Sequence, residues 1–191
     1  MTGIILAGGK NSRMGLEKGL AILNNKPMFH YGIEAMTQVC DQILISTNSK
    51  EYQDSRVFLV PDLLPDRGPM GGIWSAMKST KDTAYFVLSC DLPFVPAEFI
   101  RFLISVSADF DITVPYYGKE HFEPLCGIYR RTVLPELESH IRASDLKLPD
   151  LFLKIRLNPI PAYPLITRFN PNLFFNINTP EDLRYAEQYL K

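Results

Sequence analysis

Through the first two-thirds of the chain, short apolar runs alternate with stretches of helical spacing. The runs at residues 3–7, 42–46, 57–60, 84–89 and 111–114 have strand length and are bounded by turn formers, which predicts buried strands. Between them the pattern predicts helices over 27–40, with proline in the first turn, over 70–79 and over 97–105. Near-continuous apolar strands separated by helices predict an α/β fold, its mostly parallel sheet covered on both faces. Sites in such sheets lie beyond the carboxyl ends of the strands. After Val114 the pattern loosens. A polar loop at 116–121 precedes a further strand at 124–129, helices at 132–141 and 148–155, and an irregular extended stretch marked by Pro159, Pro161 and Pro164. A last strand at 174–177 leads into a helix at 180–189.

Residues 3–18 carry the strongest chemical signal. The first apolar run gives way within one loop to Gly8 and Gly9, followed by Ser12, Arg13, Met14, Gly15 and Lys18. Adjacent glycines let backbone N–H groups approach an anion closely, since neither carries a Cβ. Arg13 and Lys18 add positive charge, so the loop is a candidate polyphosphate holder. It is not a Walker A loop: Gly15 is followed by Leu16 and Glu17 before Lys18. The dinucleotide fingerprint also fails, because Gly8 and Gly9 are adjacent. For the Gly-Gly pair alone, a plain turn between strand and helix is the competing explanation.

Composition narrows the classes. A chain of 191 residues fits one domain, residues 1–191, with a sizeable core. A net charge of −1 argues against a general nucleic-acid binder, so the counter-charges for an anionic substrate must be local. Cys40, Cys90 and Cys126 are odd in number and widely spaced, which argues against a disulfide framework or structural zinc site and fits a reducing compartment. Neither a signal-peptide pattern nor a run of transmembrane length is present, so a soluble cytoplasmic protein is expected.

Other residues have addresses that matter. Asp91 stands just past an apolar strand, where an open parallel sheet faces its ligand crevice. Mg²⁺ prefers one or two carboxylates together with substrate phosphates, and Asp91 suits that task; a turn or capping aspartate before Pro93 is the alternative. Asp62 has a similar position after residues 57–60, with ordinary Pro-Asp turn chemistry as its competitor. Residues 67–72, with Arg67 and three glycines, either wall a nucleotide site with backbone N–H groups or pack a helix tightly on the sheet. Period-two geometry puts Asn176 and Asn178 on one face of an extended segment, as candidate substrate or outer-shell metal contacts. Thr179, Pro180 and Asp182 form a near capping box, a structural role. Lys119, His121, Arg130 and Arg131 make a weaker basic group that is best explained as a solvated face.

Taken in order, several motifs resemble the MobA family, the molybdenum cofactor guanylyltransferases. They are Leu6-Ala7-Gly8-Gly9 with Ser12-Arg13-Met14-Gly15 and Lys18, then Gly68-Pro69, Cys90-Asp91-Leu92-Pro93, and Asn176-Ile177-Asn178-Thr179-Pro180-Glu181-Asp182. The likeness spans nearly the whole chain; position 17 is Glu where many relatives carry Asp. It implies a Rossmann-like three-layer α/β fold of the nucleotide-diphospho-sugar transferase type. It further implies nucleotide contacts from Leu6, Ala7, Gly8, Gly9, Ser12, Lys18 and Asp62, with Asp91 binding both nucleotide and Mg²⁺. Arg13, Lys18 and Asp91 are then the catalytic group, with Asn176 and Asn178 as candidate acceptor contacts. The implied reaction transfers GMP from GTP to molybdopterin and releases pyrophosphate, with transient contact to other molybdenum cofactor biosynthesis proteins. Adjacent Gly8 and Gly9 resemble the guanylyl branch. A CTP-dependent molybdopterin cytidylyltransferase, a sugar- or polyol-phosphate nucleotidylyltransferase and a non-catalytic nucleotide-binding module remain alternatives.

Overall fold

A computed structural model describes residues 1–7, 17–118 and 121–190. The chain runs through β1 (Thr2–Leu6), a short hairpin of β2 (Ile22–Leu23) and β3 (Lys26–Pro27), α1 (Phe29–Met36), β4 (Gln42–Ser46) and β5 (Phe58–Val60). Next come α2 (Gly68–Lys78), β6 (Ala84–Ser89), α3 (Ala97–Ser105), β7 (Ile112–Tyr117), β8 (His121–Phe122) and β9 (Cys126–Arg130). It finishes with α4 (Leu134–Arg142), α5 (Leu148–Leu151), β10 (Leu157–Pro161), α6 (Ala162–Arg168) and α7 (Pro180–Tyr189).

Among the described residues, the main sheet has the strand order β10-β7-β9-β6-β1-β4-β5, with β8 paired to β7. The block β6-β1-β4-β5 is parallel, as the alternation of apolar runs and helices predicts. β9 then enters antiparallel between β6 and β7, while β10 is again parallel to β7. Periodicity reports burial and not direction, so this reversal is not readable from the strand pattern.

Strand alternation sorts the core into two layers. Ile5 of β1, Ile43 and Ile45 of β4, and Phe86 and Leu88 of β6 pack on the α1 and α3 side with Phe29, Ile33, Phe99 and Leu103. Their neighbours Ile4, Leu6, Leu44, Tyr85 and Val87 face α2 and α4 with Met70, Ile73, Leu137 and Ile141. Each such side chain, fully buried, contributes about 1.5–3 kcal/mol. A smaller third cluster of Ala21, Leu23, Met28, Phe94, Ile177 and Ala186 joins the β2–β3 hairpin to α7.

Five expectations change. The polar loop expected at 116–121 carries the end of β7 and the start of β8. The helix expected over 148–155 is α5 followed by a 3-10 turn, Phe152–Lys154. The segment 174–177 forms no strand; Ile177 N donates a single bond to Asp91 O, at 3.0 Å. The helix expected over 27–40 is α1 alone, because residues 26 and 27 pair in the hairpin. The proline-rich stretch holds β10 and α6. Pro159 and Pro161 are tolerated because β10 is an edge strand, and Pro164 because it lies in the first turn of its helix.

Candidate functional site

The parallel register lines up the strand ends. Leu6 is level with Ser46 of β4 and Ser89 of β6, and Ser46 with Val60 of β5. One further bond extends each ladder: Ala7 N to Ser46 O (3.1 Å), Cys90 N to Leu6 O (3.1 Å) and Thr47 N to Val60 O (3.0 Å). Asp62 and Asp91 each lie two residues beyond this row, on opposite flanks of β1. At a strand spacing of about 4.8 Å, the row from β5 to β6 spans roughly 14 Å. The predicted nucleotide contacts Leu6 and Ala7 sit at its centre, both buried. Gly8, Gly9, Ser12 and Arg13 lie outside the described residues, as does Lys119.

On the β6 flank, four predicted residues converge. Lys18 opens a short 3-10 turn, Lys18–Leu20, directly after the opening loop. Its ammonium lies 3.1 Å from Asp91 Oδ2 and also donates to Asn178 Oδ1. The Asn176 amide, oriented with its nitrogen toward the carboxylate, donates to Asp91 Oδ1 at 2.8 Å and Oδ2 at 3.0 Å. Two elements fix the asparagines. The Ile177 N–H bond to Asp91 O pins the strip between them. The predicted capping box is complete: Thr179 Oγ1 accepts from Asp182 N at 3.1 Å, and Asp182 Oδ2 accepts from the N–H groups of Asn178 and Thr179 at 2.9 Å each. The pair is largely withdrawn from water, with the Lys18 side chain 27% and the Asp91 side chain 10% exposed.

Asp62 occupies the other flank. Ser46 Oγ donates to its Oδ1 at 3.2 Å, and its backbone N–H donates to Asn48 Oδ1 at 3.0 Å. A Cβ built on Gly72 would stand 2.7 Å from Ser46 Oγ and 3.1 Å from Leu6 Cδ2. Close packing of α2 on the strand ends therefore explains that glycine, and it brings the first turns of α2 to the rim beside Asp62. Arg67, at the N-cap, reaches Ser144 Oγ at 3.2 Å.

The structure adds Glu123, which no periodic pattern marks. Antiparallel β9 enters beside β6, and Ser89 N donates to Leu125 O at 2.8 Å, so residues 123–125 lie over the end of β6. Tyr129 Oη holds this loop through Pro124 O at 2.7 Å. Burial first, and then the negative charge of Asp91, push the Glu123 carboxyl up to about 7. The neighbouring Cys90 thiol is driven up to about 12, again by burial first and Asp91 second. It is a neutral packing group rather than a nucleophile.

The second basic group disperses. Arg131 Nη1 donates to Met77 O (3.0 Å), Thr80 O (2.7 Å) and Tyr85 Oη (2.8 Å), clasping α2 to β6. Arg130 reaches Ser107 O at 3.4 Å, and His121 is exposed on β8. Arg131 is thus a structural tie rather than part of a solvated face.

A cation, two amides and a carboxylate on the carboxyl rim of a parallel sheet suit an anionic ligand and a hard cation. Among the described residues, no group of three or more His, Cys, Asp and Glu is placed to hold a metal. A carboxylate has about four lone-pair sites, however, and contacts from one ammonium and one amide leave Asp91 capacity for a cation shared with ligand oxygens. The donor set fits such an ion. No helix among the described residues is long and apolar enough to cross a membrane.

Comparison with known proteins places the chain in a family. The chain is 37% identical over 155 residues to a probable molybdenum cofactor guanylyltransferase of Flavobacterium johnsoniae, covering 81% of this chain and 82% of that one. It is 33% identical over 183 residues to a protein of the same description from Carboxydothermus hydrogenoformans, covering 95% and 92%. The crystal structure of molybdopterin-guanine dinucleotide biosynthesis protein A from Archaeoglobus fulgidus superposes with a TM-score of 0.84 at 25% identity, over 100% of this chain and 98% of that one. Nucleotidyltransferases of this family typically use a divalent metal. Residues 3–154 match the MobA-like NTP transferase domain, and the chain belongs to that family.

Proposed function

We propose that this chain transfers GMP from GTP to molybdopterin and releases pyrophosphate. The observation that carries the reading is the Lys18–Asp91 pair, closed over by Asn176 and Asn178, at the carboxyl rim of the parallel sheet. The descriptions of the relatives support GTP as donor and a molybdopterin as acceptor.

The residues account for the chemistry without a covalent intermediate. A phosphate monoester acceptor carries an ionised oxygen at neutral pH, so attack on the α-phosphorus needs no activated Ser, Cys or His. The protein's part is positioning and charge stabilisation. Lys18, and Arg13 from the opening loop, offset negative charge on the triphosphate as the bond to pyrophosphate breaks. Leu6 and Ala7 border the nucleotide at the centre of the strand row, and the following Gly8, Gly9 and Ser12 supply backbone and hydroxyl donors to it. Asp62, steadied by Ser46 and Asn48, borders the nucleotide on the β5 side. Asn176 and Asn178 orient Asp91 and Lys18 and edge the acceptor space. Mg²⁺ would be held by Asp91 together with substrate phosphate oxygens, and would supply neutralisation of phosphate charge there.

Pyrophosphate release measured with GTP, CTP, UTP and ATP in turn, in the presence of molybdopterin, tests the reading. GTP is expected to dominate, with the guanine dinucleotide product visible by mass. A strong CTP preference overturns the guanylyl assignment. Tight GTP binding without turnover would favour a nucleotide-binding module.

A further inference from the structure

Beneath the Lys18–Asp91 pair lie two buried oxygens, one on Tyr52 and one on Glu17, that are each other's natural partners. Tyr52 closes a 3-10 turn, Lys50–Tyr52, after β4; it is fully buried, with its ring edge-on to Phe29 at 5.1 Å between centroids. Its hydroxyl has no hydrogen-bond partner among the described residues, and neither does the buried Oε2 of Glu17. The phenol lies directly against the chain that carries Lys18. A Cβ built on Gly19 would meet Tyr52 Cε1 at 2.7 Å, its Oη at 3.0 Å and Cys90 Sγ at 3.2 Å. Glu17, Gly19 and Cys90 thus surround one hydroxyl, and they are the immediate sequence neighbours of Lys18 and Asp91. Burial first, and then the neighbouring Cys90 and Glu17 side chains, push the phenol well above its ordinary range, so it remains a donor at any working pH. The Glu17 carboxylate is the acceptor beside it, and its hydrogen-bonding influence is one of the causes that raise the phenol.

A buried donor and a buried acceptor side by side, with no other side-chain or backbone partner among the described residues, is an arrangement folded proteins rarely keep without use. We propose that Tyr52 is a positioning residue: its hydroxyl pairs with the Glu17 carboxylate when a nucleoside triphosphate is bound, anchoring the exit of the opening loop and aiming the Lys18 ammonium. Glycine at position 19 is required because the phenol fills the place of a side chain there. The longer glutamate at position 17 lets the carboxylate reach down to a tyrosine carried by a different element. This rests on the functional reading above only in that Lys18 serves the triphosphate.

The test compares Tyr52→Phe, Lys18→Ala and the double variant, reading Mg²⁺–GTP affinity by calorimetry, kcat and KM by pyrophosphate release, and folding by thermal melting. A displacement of about 1 Å in a charged group can cost about a hundredfold, so Tyr52→Phe should lose about ten- to a hundredfold in kcat/KM. In the Lys18→Ala background the same substitution should cost less than about twofold, because the group it positions is gone. A purely structural tyrosine would give equal losses in both backgrounds, and that result overturns the proposal. So does a Tyr52→Phe protein with wild-type affinity and turnover. Glu17→Gln, which keeps an acceptor, should lose less than Glu17→Leu; equal losses would also count against the pair. If the wild-type protein binds GTP but turns over no nucleotide, the guanylyltransferase reading fails, while the affinity cycle still decides the role of Tyr52.

Discussion

Replacing Lys18 with methionine should move two measurements in opposite directions. Its ammonium stands 3.1 Å from Asp91 Oδ2, where a divalent cation would need access. At that separation two unit charges attract by about 1 kcal/mol in bulk water and about 5 kcal/mol at an effective permittivity near 20. With the lysine about a quarter exposed, solvent screening holds the competing attraction to roughly 1–2 kcal/mol. Removing it should therefore tighten Mn²⁺ binding to the nucleotide-free protein by about tenfold, read by calorimetry or by the loss of free Mn²⁺ signal in electron paramagnetic resonance. Turnover should nevertheless fall by about a hundred- to a thousandfold, the range seen when one preorganised charge-stabilising donor is deleted. A lysine that merely held the fold would lower both together and lower the melting temperature. An unchanged Mn²⁺ affinity, with turnover within about threefold of wild type, would refute the assignment of this pair as the centre of the site.

Three further expectations follow. Asp91→Asn should abolish the Mn²⁺ isotherm and reduce pyrophosphate release by at least about a hundredfold, and a folded variant of near-normal activity would remove Asp91 from the catalytic group. Thr179→Ala deletes the side-chain acceptor of the α7 capping box and should cost about 1 kcal/mol, a fall of about 2–4 °C in Tm by scanning calorimetry for a chain of this size. Burial and Asp91 hold the Glu123 carboxyl near 7, above its unfolded range, so its contribution to stability is complete below about pH 4.5 and is lost as pH rises through about 7. Melting curves of Glu123→Gln should therefore run parallel to wild type at low pH and gain on it progressively up to pH 8; a constant offset would show that Glu123 does not titrate in that window.

The parts of the site read most directly from the sequence are those whose position follows from strand direction. Apolar run length puts Asp91 and Asp62 at strand exits, and the parallel register sets both beyond the same row. Period-two geometry pairs Asn176 and Asn178 on one face of an extended segment. No strand forms, yet the extended backbone still turns both amides to one side, one to Asp91 and the other to Lys18. Glu123 and Tyr52 were invisible for a different reason. Each matters through what a distant segment brings against it: antiparallel β9 carries Glu123 over β6, and the turn after β4 carries Tyr52 under Gly19. A single sequence encodes the spacing of its own pattern but not which elements become neighbours. Arg131 shows the same limit, since an apparently solvated cation proved to be a clasp across α2 and β6.

The alternation of Pro159 and Pro161 along β10 has a consequence for how copies of this molecule meet. Prolines two apart remove N–H groups from one side of a strand, and because the inner side is paired with β7, the missing donors are those that would face outward. Both prolines are exposed there. This rim of the sheet offers an approaching chain little to zip onto, which protects a concentrated solution against open-ended strand-by-strand growth.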